Sequence, residues 1–176
     1  MTMNFDTLNK IEHGNIFFET GSHKGDGINF ALVESFKRII SIEIEQKFID
    51  ICENRFKNEI ESGVIQIIKG DSLKVMGDII NKIDEPITFW LDAHWDCDGI
   101  HGDKLCPLYE ELITIKNHHI KNHIILIDDM RCLGGGNWGD GIYYDKIIEI
   151  LKEINKDYKF SFVDGVVKND ILVANF

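Results

Sequence analysis

The stretch NIFFETGSHKGDG, residues 15–27, decides the fold. Its first five residues are mostly apolar and β-prone, which predicts a short buried strand. The turn that follows contains three glycines, and residues 28–36 then space their apolar side chains at helical intervals. A strand, a glycine-bearing turn and a helix in this order are typical of the first unit of an α/β sheet.

Four more strand–helix units follow the first one. Strands are predicted at 38–44, 64–68, 87–91 and 123–127, and helices at 46–60, 72–83, 107–118 and 142–154. Two final strands, 158–163 and 170–176, are separated by too few residues for a parallel crossover, so they must form an antiparallel hairpin. We therefore predict one α/β domain over residues 1–176. Its seven-stranded sheet is Rossmann-like, with helices on both faces and parallel strands except at the C-terminal hairpin.

The composition disfavours several classes of function. With 19 Lys+Arg against 30 Asp+Glu, the net charge of the 176 residues is −11, which disfavours binding to a nucleic-acid backbone. No signal peptide is visible, and no apolar run approaches the ~20 residues of a membrane span. The four cysteines include no C-x-x-C pair, as expected for thiols in a reducing compartment. We expect a cytoplasmic protein without a membrane partner.

Acidic residues follow the predicted strands at four of their carboxyl ends. Because these ends meet at one edge of a parallel sheet, where open α/β folds bind ligands, the acids should converge on one crevice. So many like charges are costly unless a cation lies among them. The residues are Glu19, Glu43, Glu45, Asp92, Asp128 and Asp129.

Two of the turns at this edge suit a nucleoside ligand. The glycine turn lets the backbone approach a ligand closely, and Glu43, 18 residues after Gly25, is placed to accept both hydroxyls of a ribose. After the third strand, the triplet Gly70-Asp71-Ser72 is a candidate to hold an adenine edge. Asp71 or Ser72 is equally a candidate to cap the next helix.

On these residues the chain resembles the class I S-adenosylmethionine-dependent methyltransferases. FFETGSHKGDG is similar to the first glycine motif of that family, and ISIEIE to its second strand with the ribose-binding acid. The segments WLDAHW, CPLYEEL and LIDDM further resemble a subgroup of small metal-dependent O-methyltransferases, some of which modify sugars and natural products.

The resemblance implies a cofactor, a metal and an acceptor. S-adenosylmethionine would be held by Glu19, Thr20, Gly21, Ser22, Gly25, Glu43, Asp71, Ser72 and Asp92. A divalent cation, usually Mg²⁺, would be held by Asp92, Asp128 and Asp129, and the acceptor would be a hydroxyl of a small molecule. The chain lacks the N-terminal helices of many relatives, which leaves the acceptor and the oligomeric state, including a homodimer, open.

The chemistry of methyl transfer gives these residues roles. A hydroxyl must become basic enough to attack the sulfonium methyl group in line, and a divalent cation with oxygen ligands lowers its pKa. Asp92, as a proposed ligand of that cation, is a candidate catalytic residue. His94 lies two residues after Asp92, on the same side of an extended segment, and is our candidate general base.

Three other interpretations remain open. A zinc site would use His94, Cys97, His101 and Cys106, although their spacing differs from the tight pairs of structural zinc sites. A nicotinamide-dependent oxidoreductase would also need a glycine turn and a ribose acid, but G-x-G-x-x-G is missing. A methyltransferase fold without catalytic activity is the third. Binding of S-adenosylhomocysteine discriminates among them.

Overall fold

Seven strands form one sheet in the computed structural model, which describes residues 13–94, 100–134, 141–165 and 167–176. The strands are β1 (Ile16–Thr20), β2 (Arg38–Glu43), β3 (Ile65–Lys69), β4 (Ile87–Leu91), β5 (Ile124–Ile127), β6 (Lys159–Val163) and β7 (Ile171–Asn175). The helices in these residues are α1 (Asp26–Val33), α2 (Gln46–Arg55), α3 (Lys57–Glu61), α4 (Ser72–Ile80), α5 (Leu108–Asn117) and α6 (Tyr144–Ile154), with a 3₁₀ turn at Met130–Cys132. None of these helices has the length and apolar character needed to cross a membrane.

The order of the strands across the sheet is β3-β2-β1-β4-β5-β7-β6. β1 is central and parallel to both neighbours, with Phe18 opposite Ile40 on β2 and Phe89 on β4. β7 runs antiparallel to β5 and to β6. The predicted sheet, parallel except for the C-terminal hairpin, is confirmed. The chain leaves β1 toward β2 and later returns to β4 on its other side, which opens a crevice at the carboxyl ends of these strands.

Alternating side chains of the central strands build two hydrophobic cores. On β1, Ile16 and Phe18 pack into one core with residues of α4, α5 and α6. Phe17, between them, packs into the other core with residues of α1 and α2. This period of two places helices on both faces, as predicted, and explains why β1, β4 and β5 are buried throughout.

The predicted helix at 46–60 is divided into α2 and α3. Phe56, between them, leaves helical geometry with φ −117° and ψ 30°. Its buried ring lies against Gly25, where an added Cβ would come within 2.5 Å of Phe56 Cε2. Packing of this ring under the glycine turn therefore sets the break, which the apolar spacing alone does not reveal.

A pair of buried histidines links β4 to β5 at the end of the sheet opposite the crevice. The backbone N–H of Ile87 donates to His123 Nδ1 at 3.0 Å, and His123 Nε2 lies 2.9 Å from His118 Nδ1. His118 Nε2 in turn lies 3.1 Å from the carbonyl oxygen of Ile83. Because a backbone N–H can only donate, both rings must carry their single proton on Nε2.

We predict that both rings titrate below the pKa of an ordinary histidine and that His123 stays neutral well below pH 6. Burial, together with the neighbouring His118, lowers the pKa of His123 to about 4, and burial also lowers the pKa of His118. Since the unfolded chain takes up a proton at about pH 6.5, the His123 contribution to the free energy of unfolding is complete above that pH. It is lost as pH falls toward 4, by about 3 kcal/mol in full.

The measurement is a long-range ¹H–¹⁵N NMR spectrum of the imidazole groups, recorded through a pH titration. It should show protons on both Nε2 atoms and no titration of either ring at about pH 6.5, the value of a free histidine. A proton on His123 Nδ1, or ordinary titration, would contradict the assignment.

Candidate functional site

The main cleft of the described residues opens at the carboxyl ends of β1, β2 and β4. Its volume is about 210 Å³, against about 20 and 10 Å³ for two smaller cavities beside it, so it is the candidate binding site. The predicted cofactor residues among its lining are Gly21, Glu43, Asp71, Ser72 and Asp92. His94 and Asp129 line it too, which places the predicted base beside the predicted ribose acid in one cleft.

The glycine turn enters the cleft at Gly21, which has φ 86°. Its N–H donates to the carbonyl oxygen of Ile42 at 2.9 Å, and a Cβ at this position would lie 2.5 Å from the carbonyl oxygen of Asp92. Only glycine combines this conformation with so close an approach to β4. The turn is therefore held against the ends of both strands that flank β1.

Beneath the turn, Glu19 forms a buried hydrogen-bonded chain with two serines. Ser41 Oγ donates to Glu19 Oε2, and Ser22 Oγ lies 2.5 Å from Ser41 Oγ. Burial raises the pKa of Glu19 well above its ordinary value, despite the hydrogen bond from Ser41. Glu19 and Ser22 line a small cavity next to the main cleft, whereas the predicted residues Thr20 and Gly25 line neither.

Glu43 ends β2 with its carboxylate fixed by two backbone groups. The N–H of His23 donates to Oε2 and the N–H of Glu45 donates to Oε1, both at 2.8 Å. Each oxygen keeps a second lone pair, and the side chain lines the cleft. Glu43 is thus an oriented acceptor with capacity for two more donors, which is what the vicinal hydroxyls of a ribose require.

Asp71 both caps α4 and lines the cleft, so its two predicted roles coexist. Its Oδ1 accepts the N–H of Leu73 at 3.0 Å, in the usual manner of a helix cap. Its Oδ2 accepts the N–H of Asp103 at 3.1 Å and lies 3.6 Å from Lys74 Nζ. These contacts tie the segment 100–104 to the start of α4 along one wall of the cleft.

Asp92, His94 and Asp129, which we name the cleft triad, lie together where β4 and β5 end. His94 Nε2 is 2.6 Å from Asp129 Oδ2, and His94 Nδ1 is 3.4 Å from Asp92 Oδ1. Burial alone would lower the pKa of His94, but the hydrogen bond to Asp129 and the charges of both carboxylates outweigh it and raise the pKa. Burial raises the pKa of Asp92, and the charge of His94 opposes that rise.

A second set of carboxylates, Asp128, Asp129 and Asp170, lies behind the triad, and we name it the inner acidic group. Asp170 comes from the start of the β6–β7 hairpin return and is 1% exposed. Arg131 reaches this group: its guanidinium forms ion pairs with Asp129 and with Asp170. Burial would raise the pKa of Asp129, but His94 and Arg131 together lower it.

The residues do not fit the predicted magnesium site as one set of ligands. Possible ligand atoms fall into two groups in the described residues, the cleft triad and the inner acidic group, and within each group they lie within 4.8 Å of one another. Asp92 belongs to the first group and Asp128 to the second. The first group contains an imidazole, which Mg²⁺ disfavours, and the second already holds the Arg131 guanidinium. The set Asp92, Asp128 and Asp129 stays a prediction.

The sequence analysis missed Glu111, a carboxyl buried on α5 under the cleft. Thr20 Oγ1 donates to its Oε2 at 3.3 Å, and Oε1 has no hydrogen-bond partner in the described residues. Burial raises the pKa of Glu111 to about 7, although Ser72 and Thr20 donate hydrogen bonds that lower it. Its position three residues after Leu108, on the apolar stripe of α5, is the signal that marks it in the sequence.

The zinc interpretation gains no support from the residues that are described. His101 Nδ1 bonds to the carbonyl oxygen of Gly102 at 2.7 Å, and the side chain of Cys106 is buried in the hydrophobic core. Cys97 lies outside the described residues. His94 is the one member of the proposed zinc set that belongs to a possible ligand group in the described parts of the chain.

The chain resembles known proteins in part of its sequence and in its fold. No family model matches the chain. Over 87 residues it is 36% identical to a protein of Methanospirillum hungatei described as ribosomal RNA small subunit methyltransferase A, a match that covers 44% of this chain. The chain spans only a third (33%) of the length of that relative.

Solved structures resemble the whole chain. A protein of Clostridium thermocellum described as an rRNA methylase superposes with a TM-score of 0.63 at 18% identity, covering 93% of this chain and 89% of its own. The S-adenosylhomocysteine-bound methyltransferase PaMTH1 of Podospora anserina gives 0.60 at 15% identity, with 92% and 71% covered. The O-methyltransferase TomG of Streptomyces achromogenes, in complex with S-adenosylmethionine, gives 0.56 at 13% identity, with 92% and 72% covered. The chain therefore has the fold of the class I S-adenosylmethionine-dependent methyltransferases.

The contact between Gly27 and Glu19 generates a stability prediction. A Cβ at Gly27 would lie 1.7 Å from Glu19 Oε1, so the Gly27→Ala variant must displace the buried carboxyl. We expect the free energy of unfolding to fall by about 2 kcal/mol, the usual cost of overpacking a core site. Urea denaturation followed by circular dichroism measures it.

Gly77→Ala is the matched control, because Gly77 is also helical and its added Cβ would meet Thr114 Cγ2 at an ordinary 3.7 Å. Its better helix propensity should raise the free energy of unfolding by up to about 1 kcal/mol. Equal effects of the two substitutions would show that Glu19 does not constrain the turn.

Proposed function

We propose that this protein transfers a methyl group from S-adenosylmethionine to a hydroxyl group of a small molecule. The single observation that carries the proposal is Glu43, an acceptor oriented by two backbone N–H groups in the main cleft, beside the glycine turn at Gly21. This is the arrangement that a nucleoside cofactor needs at the carboxyl end of β2. The fold it shares with S-adenosylmethionine- and S-adenosylhomocysteine-bound proteins supports the choice of cofactor.

We propose one orientation for the cofactor in the cleft. We propose that Glu43 binds the ribose hydroxyls, that Asp71 and Ser72 lie at the adenine, and that the methionine portion extends along Gly21 and Ser22 toward Asp92. The small cavity at Glu19, Ser22 and Asp92 adjoins the main cleft through Gly21 and Asp92, which supports this path. Thr20 and Gly25 then shape the turn without contacting the cofactor.

The reaction forms a carbon–oxygen bond, breaks the carbon–sulfur bond of the sulfonium and releases one proton from the hydroxyl. We propose that His94 accepts that proton on Nδ1. Asp129 Oδ2, at 2.6 Å from Nε2, holds the other ring nitrogen in its protonated form, as the carboxylate of a catalytic triad does. Asp92, at 3.4 Å from Nδ1, steadies the imidazolium that results.

The resemblance to metal-dependent methyltransferases also predicts a divalent cation, with Asp92, Asp128 and Asp129 as its ligands. When bound, such an ion would lower the pKa of the hydroxyl. The division of these carboxylates between two groups counts against it, and the proton transfer above needs only side chains of this chain.

The acceptor is the least constrained part of the proposal. Relatives described as rRNA methyltransferases make ribosomal RNA the second candidate. Two lysines near the cleft, however, are paired with acids: Lys47 with Glu45, and Lys104 with Glu110. Together with the net charge of −11, this favours a small acceptor over a phosphate backbone. Transfer of a labelled methyl group to rRNA, but not to small hydroxyl compounds, would reverse the choice.

We propose that the protein works in the cytoplasm, where a reducing environment would keep Cys52 and Cys132 as the free thiols that the structure shows. A homodimer is the assembly that we expect if a partner is needed to cover the acceptor side of the cleft. Light scattering of the purified chain measures that state directly.

Cofactor binding is the first functional prediction. Titration calorimetry with S-adenosylhomocysteine should show one saturable site. Glu43→Ala should weaken it about 100-fold, because two charge-assisted hydrogen bonds are lost. Glu53→Ala is the control, since Glu53 is an exposed glutamate on α2. Absence of binding to the unaltered protein would reject the methyltransferase proposal, and weak binding of nicotinamide dinucleotide instead would favour an oxidoreductase.

The role of His94 is the second functional prediction. Replacing it with glutamine should lower kcat by roughly 10²–10⁴-fold, the typical contribution of a general base, with S-adenosylhomocysteine affinity within about threefold. His119→Gln is the control, because that exposed ring pairs with Asp84 away from the cleft. The assay measures S-adenosylhomocysteine released in the presence of a panel of hydroxyl acceptors. If His94→Gln leaves kcat unchanged, or if it abolishes cofactor binding together with activity, His94 is not the general base.

A further inference from the structure

The inner acidic group concentrates negative charge where water cannot reach it. Asp128 and Asp170 are each 1% exposed and Asp129 is 7% exposed. Each offers a carboxylate oxygen, and the three oxygens lie within 4.8 Å of one another. Carboxylates held this close in a buried site need a cation or a proton among them. The group that supplies this positive charge decides whether the inner acidic group can bind a metal ion.

Arg131 is built into the group through its backbone and its side chain. Its backbone N–H donates to Asp170 Oδ1 at 2.9 Å, while its guanidinium Nη1 contacts Asp170 Oδ2 and Asp129 Oδ1. The N–H of Met130 also donates to the carbonyl oxygen of Asp170, at 2.9 Å. Asp170 is therefore bound from three directions, and one nitrogen atom lies between the two carboxylates.

The local backbone brings the arginine back onto the acids. Asp129 has the left-handed conformation, φ 54° and ψ 37°, and the 3₁₀ turn Met130–Cys132 follows directly. This reversal turns Arg131 from the end of β5 toward the start of β7. The N–H of Asp129 is used by Asp128 Oδ1 at 2.7 Å, whereas Asp128 Oδ2 is buried without a partner in the described residues.

We propose that the Arg131 guanidinium, and not a divalent ion, is the resident cation of the inner acidic group. We further propose that Arg131 thereby positions Asp129 for its hydrogen bond to His94. Arg131 as the resident cation does not depend on any assumed reaction. The second statement deepens the methyl transfer proposed above and rests on it.

The two oxygens of Asp129 link Arg131 to His94. Oδ1 forms an ion pair with Arg131 but accepts no hydrogen bond in the described residues, whereas Oδ2 lies 2.6 Å from His94 Nε2. A charged or polar group therefore contacts each end of the carboxylate. Without the guanidinium it would be free to rotate, and its hydrogen bond to His94 would lengthen or break. A divalent ion in the same place would need the oxygens that Arg131 already occupies, and would be repelled by the arginine at short range.

Manganese titration of the full chain tests the first statement. Mn²⁺ prefers carboxylate oxygens, and the loss of its free six-line electron paramagnetic resonance spectrum reports binding. The wild-type chain should show no saturable site below about 1 mM, whereas Arg131→Gln should gain one that binds at least tenfold more tightly. Arg131→Lys, which keeps the charge, should behave as wild type. Arg131→Gln with Asp170→Asn should lose the gained site, which locates it.

The proton resonance of His94 tests the second statement. A hydrogen bond of 2.6 Å to a carboxylate should give a far-downfield Nε2–H signal, which His94→Gln removes and so assigns. Arg131→Gln should abolish that signal or shift it upfield, whereas Arg131→Lys should keep it in part. An unchanged signal in Arg131→Gln would show that Arg131 does not position Asp129.

A saturable wild-type Mn²⁺ site that Asp170→Asn weakens would overturn the first statement, and this titration decides even if Arg131→Gln does not fold. Equal Mn²⁺ binding by wild type and Arg131→Gln would overturn it as well. S-adenosylhomocysteine titrations run in parallel separate the two proposals. If the wild-type chain does not bind S-adenosylhomocysteine, the methyltransferase function is rejected. The manganese titration then still identifies the cation of the inner acidic group.

Discussion

The burial of carboxyl groups at one rim of the sheet is the constraint on which the rest of the site depends. A charge removed from water must be matched by a donor, a cation or a proton. Glu43 receives two backbone N–H groups, and Asp129 receives His94 and Arg131. Glu19 and Glu111 have raised pKa values because burial favours their protonated forms. The acids are thus neutralised in three ways: by backbone N–H groups, by cationic side chains and by protonation.

The backbone around these acids is shaped to make those pairings. Gly21 turns sharply at the end of β1 and passes against Asp92, which brings β2 and β4 to opposite sides of one cleft. Asp129 uses a left-handed conformation to send Arg131 back toward β7. Both features lie at the ends of strands whose interiors are apolar and regular. The sheet supplies a rigid frame, and the exceptional conformations are confined to the rim where the chemistry would take place.

The fold could be predicted from the sequence because its strong signals are local. Apolar runs such as IFFE and IILI, each followed by a helical pattern, define the parallel strands, and the short gap before Asp170 defines the hairpin. The break at Phe56 could not be predicted, because it depends on a ring packed under Gly25, far away in sequence. In the candidate site, the convergence of Glu43 and Asp92 on one cleft follows from strand order alone. The partners of each acid do not, because Arg131 and Asp170 meet only when β7 pairs with β5.

The most direct measurement of the central claim is a crystal structure of the chain with S-adenosylhomocysteine. We expect the ribose hydroxyls to donate hydrogen bonds to the two oxygens of Glu43 and the sulfur atom to lie near Asp92 and His94. Arg131 should remain between Asp129 and Asp170. A ligand bound away from Glu43, or one with its sulfur turned from His94, would contradict the proposed reaction. A metal ion in place of the Arg131 guanidinium would contradict the proposed cation.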